Sequence, residues 1–359
     1  MDYRTNSTTE TSTLQPTSTR SKYRIMSRYA AAFANPAGPG DARPTALQIV
    51  KDESAKGKLA GKVIVITGTS SGLGIETARA LAQTEARLIL TARDLEKAKT
   101  ALGSILESGR ADLVAMDNTS LDSVRSAAKE VLEISGNQVN ILINNAGIMA
   151  LPDLQHTKDG FEVQFGVNHL AHFLFFELLK PALLASATAE CSSRVVNLSS
   201  SGHRISSINE SNNYNFEKGG YHGWVAYGQS KTANVYMTNE IERRYGALGL
   251  HATAVHPGLI GTPLMKHVDA DVLYGWAQNE AIGRLMKSVE QGAATTVWAA
   301  VGKEWEHKGG KYLAECEVAP LGEDDHKAES FGHVPHTYDP EREARLWKDS
   351  LKMVGLEDK

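Results

Sequence analysis

The pattern of apolar and polar positions divides the chain near residue 58. Beyond that point, short runs of β-branched and aliphatic residues alternate with longer segments of helical periodicity. Apolar runs without strict alternation are typical of strands that are buried on both faces of a sheet. The predicted strands cover residues 62–67, 87–91, 112–116, 140–144, 194–198, 251–255 and 310–314. The predicted helices cover residues 75–83, 121–132, 161–184, 227–244 and 288–301.

This alternation of strands and helices decides the fold class. Crossover helices between successive strands require a parallel sheet with helices on both of its faces. We therefore predict a single doubly wound α/β domain over residues 58–350, with a short C-terminal tail over residues 351–359.

The residues before this domain have a different composition. The first 25 contain 11 Ser or Thr and few large apolar side chains, so burial cannot offset their ordering entropy. We predict that residues 1–57 form a disordered tail followed by an arm that lies on the domain. A transit peptide is the alternative, because the first 28 residues carry five basic side chains, although two acidic ones weaken that interpretation.

Composition and charge exclude several classes of protein. Hydrophobic residues make up 42% and charged residues 22% of the chain, which is typical of globular proteins and excludes a wholly disordered chain. The net charge of −4 lacks the basic excess of a nucleic-acid binder, so no nucleic-acid partner is predicted. No apolar run reaches the length of about 18 residues that a membrane span needs. Two cysteines and the lack of a signal peptide predict a cytoplasmic protein.

A glycine-rich turn joins the first predicted strand to the first predicted helix. It contains Gly68, Ser70, Ser71, Gly72, Leu73 and Gly74. Glycines at such a turn let the backbone approach a pyrophosphate, whose charge then lies at the helix N-terminus. A glycine-rich turn is weak evidence alone, but its place between an apolar strand and an amphipathic helix predicts a dinucleotide-binding site.

Five further motifs lie at the ends of predicted strands or on predicted helices. They are Asn144-Asn145-Ala146-Gly147, Val167-Asn168-His169, Val196-Asn197-Leu198-Ser199-Ser200, Tyr227-x-x-x-Lys231, and Pro257-Gly258 followed by Thr262. With the glycine turn, these motifs and their order resemble the short-chain dehydrogenase/reductase family. The resemblance implies a Rossmann-type fold and a nicotinamide cofactor.

The resemblance also implies roles for individual residues. The implied catalytic residues are Ser200, Tyr227, Lys231 and Asn168, of which the last holds a water relay. The implied cofactor contacts beyond the glycine turn are Arg93, Asp117, Asn145, Ala146, Gly147, Tyr227, Lys231, Pro257, Gly258, Ile260 and Thr262.

The chemistry of Tyr227 and Lys231 also follows from their spacing, because residues four apart share one face of a helix. A tyrosine is a poor acid–base group at neutral pH until a neighbouring cation favours its phenolate. We therefore predict that Lys231 lowers the pKa of Tyr227, which donates a proton in carbonyl reduction and accepts one in alcohol oxidation. Ser200 is predicted to hydrogen-bond the substrate oxygen, and the family pattern favours it over its neighbours Ser199 and Ser201.

The end of the second predicted strand bears on the choice of cofactor. An NAD enzyme usually places an acidic residue about 20 positions beyond the glycine turn, where it binds the ribose 2′-hydroxyl. Here Ala92 and Arg93 occupy that place, and an arginine can pair with a 2′-phosphate. Asp94 follows directly, with the alternative role of capping the next helix. The sequence therefore favours NADP(H).

Two segments resemble particular branches of the family. The 26 residues between Ser200 and Tyr227 resemble those of retinol dehydrogenases, although the N-terminal region lacks the membrane anchor of many of those enzymes. Residues 305–316 resemble filamentous-fungal members, many of which act in secondary metabolism. The predicted substrate is a ketone or aldehyde, or the matching alcohol, of a small lipophilic or aromatic molecule in such a pathway. The alternative is a catalytically silent NADP(H)-binding or sensor module, although such modules usually lack the Tyr or the Lys.

Residues 259–287, called the lid segment here, leave the sixth predicted strand at the edge where ligands bind in open α/β sheets. We predict that they form a mobile cover over an apolar pocket that Met149 and Trp224 complete. The alternative is a helical hairpin packed on the core. His169 and His172 have helical spacing but no third ligand, so they are predicted to be core or interface histidines and no metal site is predicted. Whether the protein forms a homo-oligomer is left open.

Overall fold

Eight strands form the central sheet of residues 27–358, the part of the chain that the computed structural model describes. The described residues contain ten strands, which are β1 Val63–Thr67, β2 Arg87–Ala92, β3 Ala111–Ala115, β4 Ile141–Asn144, β5 Ser193–Leu198, β6 Leu250–His256, β7 Leu259–Ile260, β8 Met286–Lys287, β9 Lys311–Ala314 and β10 Glu317–Val318. Their order in the central sheet is β3-β2-β1-β4-β5-β6-β9-β10, with β10 antiparallel. Strands β7 and β8 pair separately. The predicted doubly wound α/β fold is confirmed.

Aliphatic side chains fill the central strands because both faces of the sheet are covered. Strands β1 and β4 are buried along their whole length, with Val65 paired with Leu142. Polar residues appear where the strands end. At the ends of β4 and β5, the Asn144 amide donates to Oδ1 of Asn197 at 2.8 Å. The carboxyl ends of the parallel strands therefore form a polar edge on which a ligand can bind.

Helices cover both faces of this sheet. The α-helices of the described residues are α1 Ala30–Ala34, α2 Ala46–Asp52, α3 Leu73–Ala82, α4 Leu95–Leu102, α5 Ser104–Glu107, α6 Leu121–Ser135, α7 Val163–Phe165, α8 Ala171–Ser186, α9 Gly223–Tyr245, α10 Ala270–Gln278, α11 Glu280–Leu285, α12 Val289–Gly292, α13 Ala294–Val301 and α14 Pro340–Met353. On one face, α6, α8, α9 and α14 enclose a core that includes Val65. On the other face, α2, α3, α4 and α13 enclose a core that includes Ile64 and Ile66.

Two of the predicted helices are interrupted. The segment predicted over residues 161–184 begins as α7, passes through a π-helical turn at Gly166–Leu170 and continues as α8. Such turns recur at functional sites, where they change the direction of one side chain. The segment predicted over residues 288–301 is divided at Ala293 into α12 and α13.

The arm, defined here as residues 27–57, packs on the domain through α1 and α2. Thr45 caps α2, because its hydroxyl oxygen accepts a hydrogen bond from the N–H of Gln48 at 3.2 Å. Ile49 of α2 is fully buried, and Phe33 of α1 joins the same core. The arm is therefore part of the packed structure. The predicted disordered tail falls on residues that lie outside the described part of the chain.

The last helix extends beyond the predicted end of the domain at residue 350. Asp339 caps the N-terminus of α14, which continues to Met353. Leu351 and Val354 are buried in the core beside α9. The predicted boundary of the C-terminal tail is therefore too early by about one helical turn.

Candidate active site

The glycine turn lies between β1 and α3 at the carboxyl edge of the sheet. Gly68 has a φ of 73° and Gly72 a φ of 62°, a left-handed conformation that favours glycine. A Cβ at Gly74 would lie 2.3 Å from the carbonyl oxygen of Gly68, so a larger residue would open the turn. The half-buried residues of the turn are Gly68, Ser70, Ser71, Gly72 and Leu73. This geometry leaves the first N–H groups of α3 available to an anion.

The motif at the end of β4 is hydrogen-bonded to this turn. The Asn145 amide donates to the main-chain oxygen of Thr67 at 2.7 Å and to that of Gly68 at 3.2 Å. The N–H groups of Asn145 and Ala146 donate to Oγ1 of Thr67 at 2.9 and 3.0 Å. Two segments that the sequence predicts to contact one dinucleotide are therefore held together by direct bonds.

Behind this contact, His172 links the glycine turn to the π-helical turn. Its Nε2 lies 2.9 Å from Oγ1 of Thr67, and its Nδ1 lies 2.9 Å from the main-chain oxygen of Asn168. A carbonyl oxygen can only accept, so Nδ1 carries the proton and Nε2 accepts from the Thr67 hydroxyl. Burial lowers the pKa of His172 to about 4 and keeps the ring neutral. This role of His172 was not predicted from the sequence. The available signal was Thr67, a polar residue at the end of an aliphatic strand.

Tyr227 and Lys231 lie on one face of α9 and are 3% and 4% exposed. Nζ of Lys231 is 5.5 Å from the centre of the Tyr227 ring and donates to the main-chain oxygen of Leu198 at 3.1 Å. Gly202 packs against the ring, where a Cβ would lie 2.7 Å from Cε1 of Tyr227. The predicted pair is therefore in place and tightly enclosed.

The protonation states of this pair differ from the prediction. Burial raises the pKa of Tyr227 to about 12, and the hydrogen bond with Ser200 opposes that rise. Burial lowers the pKa of Lys231 to about 8. The predicted lowering of the Tyr227 pKa is not seen in this structure, because loss of solvent raises that pKa and only the Ser200 hydroxyl acts in the opposite direction. At neutral pH the phenol is protonated and Lys231 is an ammonium ion.

Two neighbouring serines at the end of β5 have different partners. Ser199 donates its hydroxyl to the main-chain oxygen of Lys231 at 2.8 Å and is buried. The hydroxyl of Ser200 accepts from the N–H of Gly202 at 3.0 Å, and a Cβ at Gly202 would lie 3.4 Å from that hydroxyl and 2.7 Å from Cε1 of Tyr227. Ser200 is therefore the one that lies beside the phenol.

Asn168 lies in the π-helical turn and braces the chain that follows β4. Its amide nitrogen donates to the main-chain oxygen of Ile148 and to the hydroxyl of Ser230, both at 2.9 Å. Its Oδ1 accepts from the N–H of Ile148 at 2.9 Å. A Cβ at Gly147 would lie 3.2 Å from that oxygen and 3.6 Å from Nζ of Lys231. The side chain is thus engaged in positioning, and its water-relay role stays a prediction.

The residues predicted at the adenosine end lie after β2 and β3. Arg93 is exposed at the end of β2. Asp94 caps α4 by accepting an N–H from its first turn at 3.0 Å, which confirms its alternative role. Burial acts to raise the pKa of Asp117, but hydrogen bonds from Thr119 and Lys158 outweigh it and lower that pKa. Of these side chains, Arg93 alone carries a positive charge at the end of the second strand.

The loop after β6 lies beside the glycine turn. It contains the predicted residues Pro257, Gly258, Ile260 and Thr262. A Cβ at Gly72 would lie 3.6 Å from Cβ of Thr262. The side chains of Ile260 and Leu73 converge on Gly292, where a Cβ would lie 2.6 and 2.8 Å from them. The structure therefore brings this loop and the glycine turn to one groove.

An apolar cluster covers the phenol end of α9. The ring centre of Trp224 lies 6.2 Å from that of Tyr227 and 6.1 Å from that of Trp276 in the lid segment. The other members of the cluster are Met149, Ala150, Leu264, Met265, Val268 and Leu273. Helices α10 and α11 contain no buried residue, and Tyr274 is 68% exposed. The lid segment therefore touches the site while being loosely packed.

Two absences hold for residues 27–358. Within that range, no group of three or more His, Cys, Asp or Glu is arranged to hold a metal ion. His169 instead hydrogen-bonds with the hydroxyl of Ser350 at 2.9 Å. In the same range, no helix combines the length and the apolar character that a bilayer crossing requires.

Similar proteins share these features. The family model described as short chain dehydrogenase matches residues 62–273. Short-chain dehydrogenase/reductase prx1 of Penicillium roqueforti is 51% identical over 332 residues, which are 92% of this chain and 96% of that protein. Oxidoreductase calI of Penicillium decumbens is 42% identical, over 92% of this chain and 99% of that protein. Retinol dehydrogenase 13 of Homo sapiens is 36% identical, over 84% and 87%.

Solved structures with the same fold include two complexes with NADP. RhlG of Pseudomonas aeruginosa, in an NADP active-site complex, superposes with a TM-score of 0.58 at 26% identity, over 72% of this chain and 95% of that chain. A short chain dehydrogenase of Burkholderia cenocepacia J2315, in complex with NADP, superposes with a TM-score of 0.56 at 25% identity, over 72% and 97%. Fold, motif positions and relatives agree, and the chain belongs to the short-chain dehydrogenase/reductase family.

Proposed function

We propose that this protein is an NADP(H)-dependent oxidoreductase that reduces a ketone or aldehyde of a small lipophilic or aromatic molecule, or oxidises the matching alcohol, in fungal secondary metabolism. One observation carries the proposal. Tyr227 is a buried phenol that packs on Gly202 beside the Ser200 hydroxyl, has the Lys231 ammonium group 5.5 Å from its ring, and lies under an apolar cluster. A proton donor in such a water-poor site can serve an oxygen atom on which charge develops.

The residues around the glycine turn fit a nicotinamide dinucleotide. A Cβ at Gly68 would lie 2.8 Å from Cα of Ala146, so only glycine lets the turn approach the chain after β4 this closely. The turn would hold the pyrophosphate at the N-terminus of α3, and Lys231 would hold the nicotinamide ribose. When bound, the reduced cofactor supplies the hydride that the carbonyl carbon accepts.

The protein's own residues would handle the proton. Tyr227 gives its hydroxyl proton to the carbonyl oxygen, which becomes the hydroxyl of the product alcohol, while Ser200 donates a hydrogen bond to the same oxygen. The phenolate that remains is stabilised by the Lys231 ammonium group. Because burial lowers the pKa of Lys231 to about 8, that group is also a competent source for the returning proton. Asn168 would fix the chain beside this path through its bonds with Ile148.

Arg93 supports NADP(H) over NAD(H). It is an exposed guanidinium group at the end of β2, while the neighbouring carboxylate of Asp94 is engaged as a helix cap. A free guanidinium favours the 2′-phosphate of NADP(H), and an engaged carboxylate has less capacity for the 2′-hydroxyl of NAD(H). The NADP complexes among the similar structures agree with this choice.

The lining of the site supports a lipophilic or aromatic substrate. Trp224, Trp276, Met149 and Met265 surround the phenol end of α9, so the substrate body meets aromatic faces and polarisable sulfur. The Penicillium relatives agree with a place in fungal metabolism.

Oxidation of NADPH in the presence of a panel of aromatic and aliphatic aldehydes and ketones tests the proposal. We expect turnover by the wild-type protein, preferring aromatic carbonyls, and expect Lys231→Ala to lose both turnover and affinity for NADPH. Comparing metabolites with and without the protein would then identify the accumulated ketone or alcohol. NADPH binding without oxidation by any carbonyl would instead support the silent binding module.

A further inference from the structure

Arg43 of the arm is a buried arginine whose hydrogen bonds reach the end of the lid segment. It is 3% exposed, and its Nε donates to the carboxylate of Asp41 at 2.8 Å. Its two terminal nitrogens donate to the main-chain oxygens of Arg284, Leu285 and Met286, at 3.4, 2.9 and 2.5 Å. A planar guanidinium group is suited to such a fan of acceptors, and leaving them unpaired would be unfavourable.

These three carbonyl groups mark the point where the lid segment returns to the domain. Leu285 is the last residue of α11, and Met286 begins β8. The last carbonyl groups of a helix lack partners within the helix, and a basic side chain can satisfy them. Arg43 therefore holds the C-terminal end of the lid segment to the arm.

A second tie lies one turn further along the chain. The side-chain nitrogen of Gln291 donates to the main-chain oxygens of Asp41 and Arg43, both at 3.1 Å, and to Oδ1 of Asp41 at 3.0 Å. Its Oε1 accepts from the N–H of Gly40 at 2.9 Å. Gln291 is buried in α12, so arm residues 40–43 are fixed to the chain on both sides of β8.

The base of the lid segment also contacts the loop after β6. Strand β8 pairs with β7, so the two ends of the lid segment meet side by side. Nζ of the buried Lys287 donates to the main-chain oxygen of Pro257 at 3.1 Å and lies 5.0 Å from the centre of the Phe33 ring in the arm. The arm thus contacts the base of the lid segment through Phe33 as well as through Arg43.

We propose that Arg43 is a positioning residue for substrate binding, because it fixes the base of the lid segment to the arm. The lid segment carries Trp276 and Met265 over the phenol of Tyr227, so the position of its base sets the shape of the apolar pocket. The arm is then a functional part of the substrate site. For its kinetic consequence this proposal rests on the proposed carbonyl-reductase function, whereas its structural consequence does not.

Hydrogen exchange and kinetics on the full-length protein test the proposal with three variants. Arg43→Met removes the donors and keeps the side-chain length, Arg43→Lys keeps the charge without the planar fork, and Gln291→Ala cuts the second tie. Arg28→Met is the matched control, because Arg28 is an arm arginine that donates to the main-chain oxygen of Asp52, with its side chain 58% exposed.

In Arg43→Met we expect amide exchange over residues 280–292 to rise by about tenfold or more, with exchange in α9 and β1 unchanged. We expect KM for an aromatic aldehyde, 2-naphthaldehyde, to rise by about tenfold, with kcat changed less than about threefold. Arg43→Lys should show part of both effects, Gln291→Ala the same local pattern, and Arg28→Met neither.

Unchanged exchange over residues 280–292, an equal rise across the whole sheet, or an unchanged KM despite faster local exchange would overturn the proposal. If Arg43→Met does not fold, Gln291→Ala decides in the same way. If the wild-type protein turns over no carbonyl, the proposed function fails, and the exchange data alone still decide whether Arg43 fixes the base of the lid segment.

Discussion

The lid segment lies over Tyr227 of helix α9, and these two elements differ in how closely they pack on the rest of the protein. Seventeen of the 23 residues of α9 are buried, whereas α10 and α11 contain no buried residue. Polar side chains of α9 form hydrogen bonds with adjacent elements. For example, the Asn234 amide donates to the main-chain oxygen of Leu198, the last residue of β5, at 3.0 Å. The proposed proton donor thus lies on a closely packed helix, and the proposed substrate-recognition segment is loosely packed. If both roles hold, substrate preference can change in this fold without moving the proton donor.

The largest expected effect is the loss of the phenol on the rigid side. Tyr227→Phe should reduce kcat by about 10² to 10⁴, the usual contribution of a general acid, and leave NADPH affinity nearly unchanged. The matched control is Tyr236→Phe, since Tyr236 is another buried tyrosine of α9 whose hydroxyl donates to the main-chain oxygen of His336 at 2.7 Å.

Steady-state kinetics and a cofactor titration measure both quantities for the two variants. The control should lose some stability while keeping its turnover. If Tyr227→Phe retains more than about a tenth of the wild-type kcat, Tyr227 is not the general acid.

The next effect concerns the exposed end of the cofactor site. Arg93→Ala should weaken NADPH by about 1.5 to 3 kcal/mol, the contribution of a charged hydrogen bond, or about one to two decades. NADH should be little affected, because it has no phosphate at that position. Arg87→Ala is the control, since Arg87 is an exposed arginine at the opposite end of the same strand, where it pairs with Asp112. Equal losses for both cofactors would show that Arg93 has only a structural role.

The dependence of activity on pH tests the charge of Lys231. Because its pKa is lowered to about 8, the ammonium group is lost as pH rises through that value. We expect kcat/KM for NADPH to fall about tenfold per pH unit above about pH 8, while the phenol of Tyr227 stays protonated. A profile that stays level to the alkaline side of this value would contradict a catalytic role for the ammonium group.

Titration of Lys231 cannot lower the activity above about pH 8 by unfolding the protein. Its pKa is about 8 in the folded chain against the ordinary 10.5, so between these values the unfolded chain binds this proton more tightly. Stability from this group therefore rises with pH in that window. Thermal unfolding measured at each pH serves as the control for the kinetic profile.

The smallest expected effect is a change in protection on the loosely packed side. In the NADPH complex, amides of the part of the lid segment that forms α10 should exchange quickly and become slower when a turned-over carbonyl is added, because a cover that closes has low local stability. Amides of α9 should be protected in both states and serve as the internal reference. Equal protection of the lid segment in both states would make it an ordinary helical hairpin on the core.

The sheet and most of the site could be predicted from the sequence, whereas the ties of the lid segment and the pKa of Tyr227 could not. The aliphatic run of β1 and the motifs at strand ends give the sheet and most of the site, because local pattern and motif chemistry decide them. The ties of Arg43 to Leu285 and of Lys287 to Pro257 join distant segments without any periodic signal. The pKa of Tyr227 depends on its enclosure, which spacing alone does not reveal.

The central claim is that this protein transfers a hydride to a carbonyl carbon with Tyr227 as the proton donor. The most direct test incubates the wild-type protein with a panel of aromatic carbonyls and NADPH that is deuterated at the transferable position, and analyses the products by mass spectrometry. We predict an alcohol that carries one deuterium on its carbinol carbon, formed at least about a hundredfold more slowly by Tyr227→Phe under the same saturating cofactor. Tight NADPH binding with no deuterium in any product would contradict the claim.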